Sequence, residues 1–114
     1  MARDRGLEEV VRDLVAGEAG LTQGPMFGGW AWLVDGNLLC GARTDGVLLR
    51  LGKGNDAWAL EAEGVEPMVM QGRPMSGWIR VAPDAFADEG FARRLMVAAL
   101  SFVRSLPPKE AGRR

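Results

Sequence analysis

The strongest constraint on the fold of this chain is a succession of short apolar runs cut by Asp-Gly pairs. Trp30-Ala31-Trp32-Leu33-Val34, residues 38–42 and residues 47–51 are rich in Leu, Val and Trp, and are separated by Asp35-Gly36-Asn37 and by Asp45-Gly46. Runs this short suit strands better than helices, and Gly supplies the positive φ that a primed hairpin turn demands. The three runs therefore read as an antiparallel meander.

Helical periodicity brackets the meander. Leu7, Val10, Val11, Leu14 and Val15 recur at i, i+3, i+4, i+7 and i+8, with Glu8 and Glu9 in the first turn and Gly17 or Gly20 as the stop. After Gly52-Lys53-Gly54-Asn55, residues 56–63 suit a short helix capped by Asn55 or Asp56 and ended by Gly64. Met68-Val69-Met70 and Trp78-Ile79-Arg80-Val81 read as a second strand pair across the turn-rich Gln71-Gly72-Arg73-Pro74-Met75. Pro83-Asp84 opens a terminal helix whose Phe91, Leu95, Ala98, Ala99, Phe102 and Leu106 fall on one face, with Arg93, Arg104, Val97 and Leu100 opposite. Pro107-Pro108 ends it, so the basic tail 107–114 reads as flexible.

The whole of residues 1–114 thus reads as a single α+β domain of two layers. Its order is helix, three antiparallel strands, helix, two strands, helix, with the helices packed on the sheet and the other sheet face left open. No repeat or linker interrupts it.

Composition removes much chemistry. The chain has no histidine and one cysteine, Cys40, so Ser-His-Asp and Cys-His catalysis, an internal disulfide and a thiolate metal cluster are all excluded. Cys40 sits mid-strand and reads as a small buried residue. Asp35 and Asp45 are accounted for by turns, and Asp84 and Asp88 by helix starts, so no carboxylate pair announces acid/base or metal work. No catalytic residue, metal or cofactor is expected. The N-terminus leads into charged residues, and the longest strongly apolar run spans only residues 95–100. Neither an export signal nor a membrane span is read, which makes the expected location cytoplasmic.

Two features point to binding. Residues 1–63 carry six basic and ten acidic groups, whereas residues 64–114 carry eight basic and five acidic. Arg93, Arg94, Arg104 and Lys109, with Arg113 and Arg114, could contact phosphates, although cations at a helix C-terminus are also what its macrodipole favours. Gly52-Lys53-Gly54 lacks the spacing of a phosphate loop and reads as a turn. Trp30, Trp32, Trp58 and Trp78 could stack bases, but tryptophans commonly fill cores and the net charge is −1. Met26-Phe27-Gly28-Gly29 is the most distinctive segment: its glycines permit positive φ or close backbone approach, while Met and Phe are expected to anchor the entering loop in the core.

With Met26-Phe27-Gly28-Gly29, the hairpin Val34-Asp35-Gly36-Asn37, Leu48-Leu49-Arg50-Leu51 before a helix, Gly64-Val65-Glu66-Pro67-Met68, Gly72-Arg73-Pro74-Met75 and Ser105-Leu106-Pro107-Pro108-Lys109, the sequence resembles the N-terminal domain of the TfoX/Sxy family, in a compact single-domain branch. That family is associated with regulation of natural competence and DNA uptake in bacteria. The resemblance implies the same helix and strand order, no catalytic residue, and a regulatory or interaction role. Met26, Phe27, Gly28, Gly29, Arg73, Pro74 and Met75 are then the motif residues to examine for binding. Gln23-Gly24-Pro25 stands where the family often has a basic residue. The expected partner is a protein, either another chain or a second copy, docked on the open sheet face or on the Val97 and Leu100 side of the last helix. Direct nucleic-acid binding through Arg93, Arg94, Arg104 and Lys109 is the alternative.

Overall fold

The computed structural model describes residues 3–26 and 28–109. Helix α1 (Arg5–Val15) starts at Asp4, whose carboxylate accepts from the Leu7 N–H at 3.0 Å, and it buries Leu7, Glu8, Val11 and Val15. Strands β1 (Leu21–Met26), β2 (Gly29–Val34), β3 (Asn37–Arg43) and β4 (Gly46–Arg50) follow as consecutive antiparallel hairpins. Then come α2 (Ala57–Leu60), the hairpin β5 (Val65–Met70) and β6 (Arg73–Val81), the single turn α3 (Pro83–Phe86), and α4 (Glu89–Arg104). The six strands form one sheet in the order β1-β2-β3-β4-β6-β5.

The α+β architecture is as the sequence predicts, with two additions. Leu21-Thr22-Gln23-Gly24-Pro25-Met26 has neither alternation nor a β-branched run, yet it pairs along its whole length with β2. An edge strand tolerates Pro because one side of its ladder is unused. The backbone phase agrees, since the Asp35 N–H donates to Gly20 O at 3.0 Å. Alternate pairing from there turns the backbone groups of Leu21, Gln23 and Pro25 outward. The second addition is a break in the terminal helix, where Asp88 caps α4 by accepting from the Phe91 N–H at 3.0 Å.

Asp45-Gly46 does not supply the primed turn expected of it: Gly46 already pairs with Arg43 in β4, and the turn falls on Thr44 and Asp45. Asp35 and Gly36 have φ of 52° and 80°, and Gln71 and Gly72 have 52° and 77°, so both pairs make two-residue primed turns. The second turn is tighter than expected: Arg73-Pro74-Met75 belongs to β6 and not to the turn, with Met70 paired to Arg73 and Val69 to Pro74.

All four helices lie on one sheet face, where Val11, Val15, Leu95, Met96, Ala99 and Val103 pack against Trp32, Val34, Leu49, Ile79 and Val81. The buried stripe of α4 is Ala92, Leu95, Met96, Ala99 and Val103, turned about 70° round the helix from the face the sequence suggested, at about 100° per residue. Large flanking side chains drew the expected stripe toward Phe91 and Phe102, which are only half-buried. On the other sheet face Leu48, Met68 and Trp78 form a second cluster with Leu38, Met70 and Met75 packed against it, so that face is open only in part.

The tail expected to be flexible from residue 107 begins pinned. Asn37 Nδ2 donates to Pro107 O at 2.9 Å and the Lys109 N–H donates to Asp35 O at 2.7 Å. Residues 110–114 lie outside the described residues.

Candidate interaction face

The motif residues do not form one site. The β1–β2 turn and the β5–β6 turn lie at opposite edges and opposite ends of the sheet, so Met26 to Gly29 and Arg73 to Met75 occupy diagonal corners. Met26 is 42% exposed, which corrects the expectation that it anchors a loop in the core. Phe27 lies outside the described residues. Gly28 has φ of 75°, and a Cβ on Gly29 would collide with Ala42 O, so these two glycines serve the hairpin itself. Arg73 and Pro74 are exposed, and Met75 packs on the Trp78 cluster.

The four cations are separated as well. Arg104 Nη2 donates to Glu18 Oε1 at 2.7 Å and to Ala19 O at 3.2 Å, tying the end of α4 to the loop after α1. Lys109 follows the pinned segment at the β2–β3 turn. Only Arg93 and Arg94 stand together, near the start of α4.

The Gly52-Lys53-Gly54 turn has a structural task. The Leu51 and Gly52 amides both donate to Gly77 O, at 2.8 and 3.0 Å, and a Cβ on Gly52 would collide with the Phe102 ring. Asn55 closes the turn through its N–H to Gly52 O at 2.9 Å. This geometry brings α2 alongside α4 and sets Trp58 beside Ala98.

Between α2 and α4 runs a groove of about 710 Å³ with Leu51, Trp58, Ala98 and Phe102 in its lining. It continues over the outward side of α4 past Val97 and Gly90 to Arg93 and Arg94. Trp58 is 37% exposed and Val97 is 61% exposed. The Arg94 guanidinium carbon stands 5.0 Å from the Trp58 ring centroid, a cation–π contact that fixes both side chains at the rim. The Val97 side of α4 is therefore part of a larger apolar face, whereas Leu100, which the sequence grouped with Val97, is half-buried against the core and lies outside the groove. The sequence groups Trp58 only with the other three tryptophans, and nothing in its short Ala-rich segment ties it to α4.

A second polar feature is structural. Buried Glu8 accepts from Arg3 Nε at 2.9 Å and from Arg3 Nη2 at 2.8 Å, and this pairing holds its carboxyl below the ordinary range against the opposing effect of burial. The Arg3 guanidinium lies 4.5 Å from the Trp30 centroid, and Trp30 Nε1 donates to Gln23 Oε1 at 2.8 Å, so α1, β1 and β2 are tied at one corner.

Cys40 is wholly buried and burial pushes its thiol up, the reverse of what activates a nucleophile. Among the described residues no three Cys, Asp or Glu side chains converge to hold a metal ion. No helix there is long and apolar enough to cross a membrane.

Residues 13–103, from within α1 to the last core contact of α4, match the family model of the TfoX N-terminal domain. The chain belongs to the TfoX N-terminal domain family. All six strands and α2 to α4 fall in the matched stretch or at its border, so the TfoX N-terminal match and the sheet describe the same unit. No curated protein and no solved structure matches the chain.

Proposed function

We propose that this TfoX N-terminal domain is a non-enzymatic regulatory module that works by docking a protein partner on the face formed by α2 and the outward side of α4. One observation carries the reading: Trp58, Val97 and Ala98 make a continuous apolar surface, rimmed by Arg93 and Arg94, on the helices of a domain whose core is closed without it. An aromatic anchor in a groove with an Arg rim is the composition of an interface centre. Cys40 is buried, and Glu8 and Arg104 are engaged in holding the fold together. Family membership supports a regulatory role of the kind associated with competence.

The test is photo-crosslinking of the full chain in its host cells, with the crosslinking residue at position 97 or, on the edge strand β5, at exposed Val69. A discrete adduct formed at 97 and not at 69, competed by excess wild-type protein but not by Val97→Asp, supports the reading. Absence of any adduct at 97 that wild type competes would overturn it. Adducts to nucleic acid at 93 and 94, weakening steeply with salt, would replace the protein partner by DNA or RNA.

A further inference from the structure

We infer that strand β1 is a pairing edge for a second copy of this chain, the two β1 strands running antiparallel about a two-fold axis at Gln23. The contact shares no residue with the face of α2 and α4. The sheet has two edges, β1 and β5. Strand β5 is guarded: its ladder with β6 shifts register between Pro67 and Val69, and it carries the Glu66 carboxylate. Strand β1 pairs with β2 at every residue without a shift, has no charged residue, and leaves Thr22, Gln23, Pro25 and Met26 exposed. Helices α1 and α4 pack chiefly on β3 and β4. Turned outward along the β1 edge are the N–H and C=O of Leu21 and Gln23 and the C=O of Pro25, and none of these is bonded to another described residue.

The residue that the single chain does not explain is Gly24. Its φ is not positive, and a Cβ on it would meet nothing within 4 Å. The strand glycines Gly29, Gly46 and Gly77 are different, because a Cβ on any of them would collide with the backbone of a neighbouring segment. Glycine inside a strand costs chain entropy and gives up a side chain that could pack, and it recurs where another chain segment comes close. Gly24 lies between Thr22 and Met26 on the side of the sheet away from the helices, at the edge where an added strand would lie.

The edge is complementary to itself. With the axis at Gln23, the two Gln23 residues exchange both backbone bonds, and each Leu21 N–H donates to the Pro25 carbonyl of the copy. Every outward N–H is then used, and the N–H that proline lacks falls at the end of the ladder. The side chains agree. On the open side Thr22 comes opposite Gly24 of the copy and Met26 opposite its Gly20, so each side chain faces a glycine; on the helix side Leu21 meets Pro25. Moving the axis to Thr22 sets Thr22 against itself and leaves Gly24 facing Gly20. Because β1 has no charge, like meets like without repulsion. A foreign extended segment is chosen through pockets for its alternate side chains, and neither groove beside α4 reaches β1. An identical edge needs only the ladder and this fit, and a two-fold axis supplies each twice.

The experiment is sedimentation equilibrium of the full chain at concentrations up to about 1 mM, beside Gly24→Val, Gln23→Pro and Val97→Asp. Wild type is expected to pass from monomer to dimer as concentration rises. Gly24→Val fills free space with a β-branched side chain that suits a strand, so its melting temperature is expected at or above that of wild type while its dimer weakens about tenfold or more. Gln23→Pro removes an amide that β2 does not use, one in each copy, and is expected to weaken the dimer by about tenfold as well. If melting shows that one of these two variants does not fold, the other decides. Val97→Asp is expected to dimerise as wild type does. A wild-type chain that stays monomeric throughout overturns the proposal, and so does a dimer that either folded β1 variant leaves unmoved. A dimer lost in Val97→Asp alone overturns it too, and puts the second copy on the helical face instead. The docking reading stands or falls separately, on the adducts at position 97.

Discussion

Gly36 lies directly against the backbone carbonyl of Lys109, so close that a Cβ at Gly36 would collide with that oxygen. The β2–β3 turn and the segment after α4 are thereby one structural unit, closed by the bonds from Asn37 to Pro107 and from Lys109 to Asp35. Gly36→Ala must displace the segment and also hold a side chain at a φ of 80°, so a loss on the order of 2 kcal/mol is expected in urea unfolding. Asn37→Ala, which removes one hydrogen bond, should cost about 1 kcal/mol. A Gly36→Ala protein as stable as wild type would show that the segment is not seated on the turn.

Glu8 gives the domain an acid limit. Its folded carboxyl is held below the usual value of 4.5 chiefly by the Arg3 hydrogen bonds. The unfolded chain binds this proton more readily than the folded one, so the contribution is fully present above the unfolded value and is lost as pH falls through the folded one. Glu8→Gln should lower the melting temperature at neutral pH and make the decline below about pH 4.5 shallower than in wild type. Parallel acid limbs for the two proteins would contradict the assignment.

Cys40 should be silent toward thiol reagents until the domain opens, because it has no exposed surface. Labelling followed by mass spectrometry is expected to track unfolding across a denaturant series. Cys40→Ser places a hydroxyl in the core at a cost of about 1–3 kcal/mol.

Val97 and Leu95, two residues apart on α4, should separate binding from folding. Val97→Asp is expected to stay within about 0.5 kcal/mol of wild type and to abolish docking. Leu95→Ala, at a buried site, should cost about 2–5 kcal/mol. Chemical denaturation of both variants beside a binding assay checks the contrast.

The four cations grouped by the sequence should not act together. Arg104→Ala is expected to lower stability by about 0.5–1 kcal/mol through loss of the Glu18 tie, while Arg93→Ala leaves it unchanged. Duplex DNA titrated at several salt concentrations should show no steep salt dependence lost jointly in Arg93, Arg94 and Arg104 variants.

What could be read from the sequence follows the strength of the local signal. The Asp35-Gly36 turn was legible because positive φ at both positions restricts the residues allowed, whereas the turn at Gln71-Gly72 was read too long because Pro74 hides the start of β6. Strand β1 was hidden because its register comes from β2, a tertiary partner, and Pro25 costs it nothing on an outer edge. The face of α4 was misjudged because Phe91 and Phe102, the bulkiest residues, pack beside α2 while the small Ala92 and Ala99 meet the sheet. The candidate interaction face was half-visible: Val97 and the two arginines could be named, but Trp58 joins them only through the turn at Gly52, which no periodicity encodes.

The placing of β6 between β4 and β5 has a consequence in time. The sheet consists of two pieces that close short loops of their own, the β1–β4 meander and the β5–β6 hairpin, and such hairpins form in about 1–10 µs. The seam between them, from Val47↔Val81 to Arg50↔Trp78, must wait for the chain between residues 50 and 78 to close. Truncating Leu48 or Ile79 at the seam should therefore slow folding.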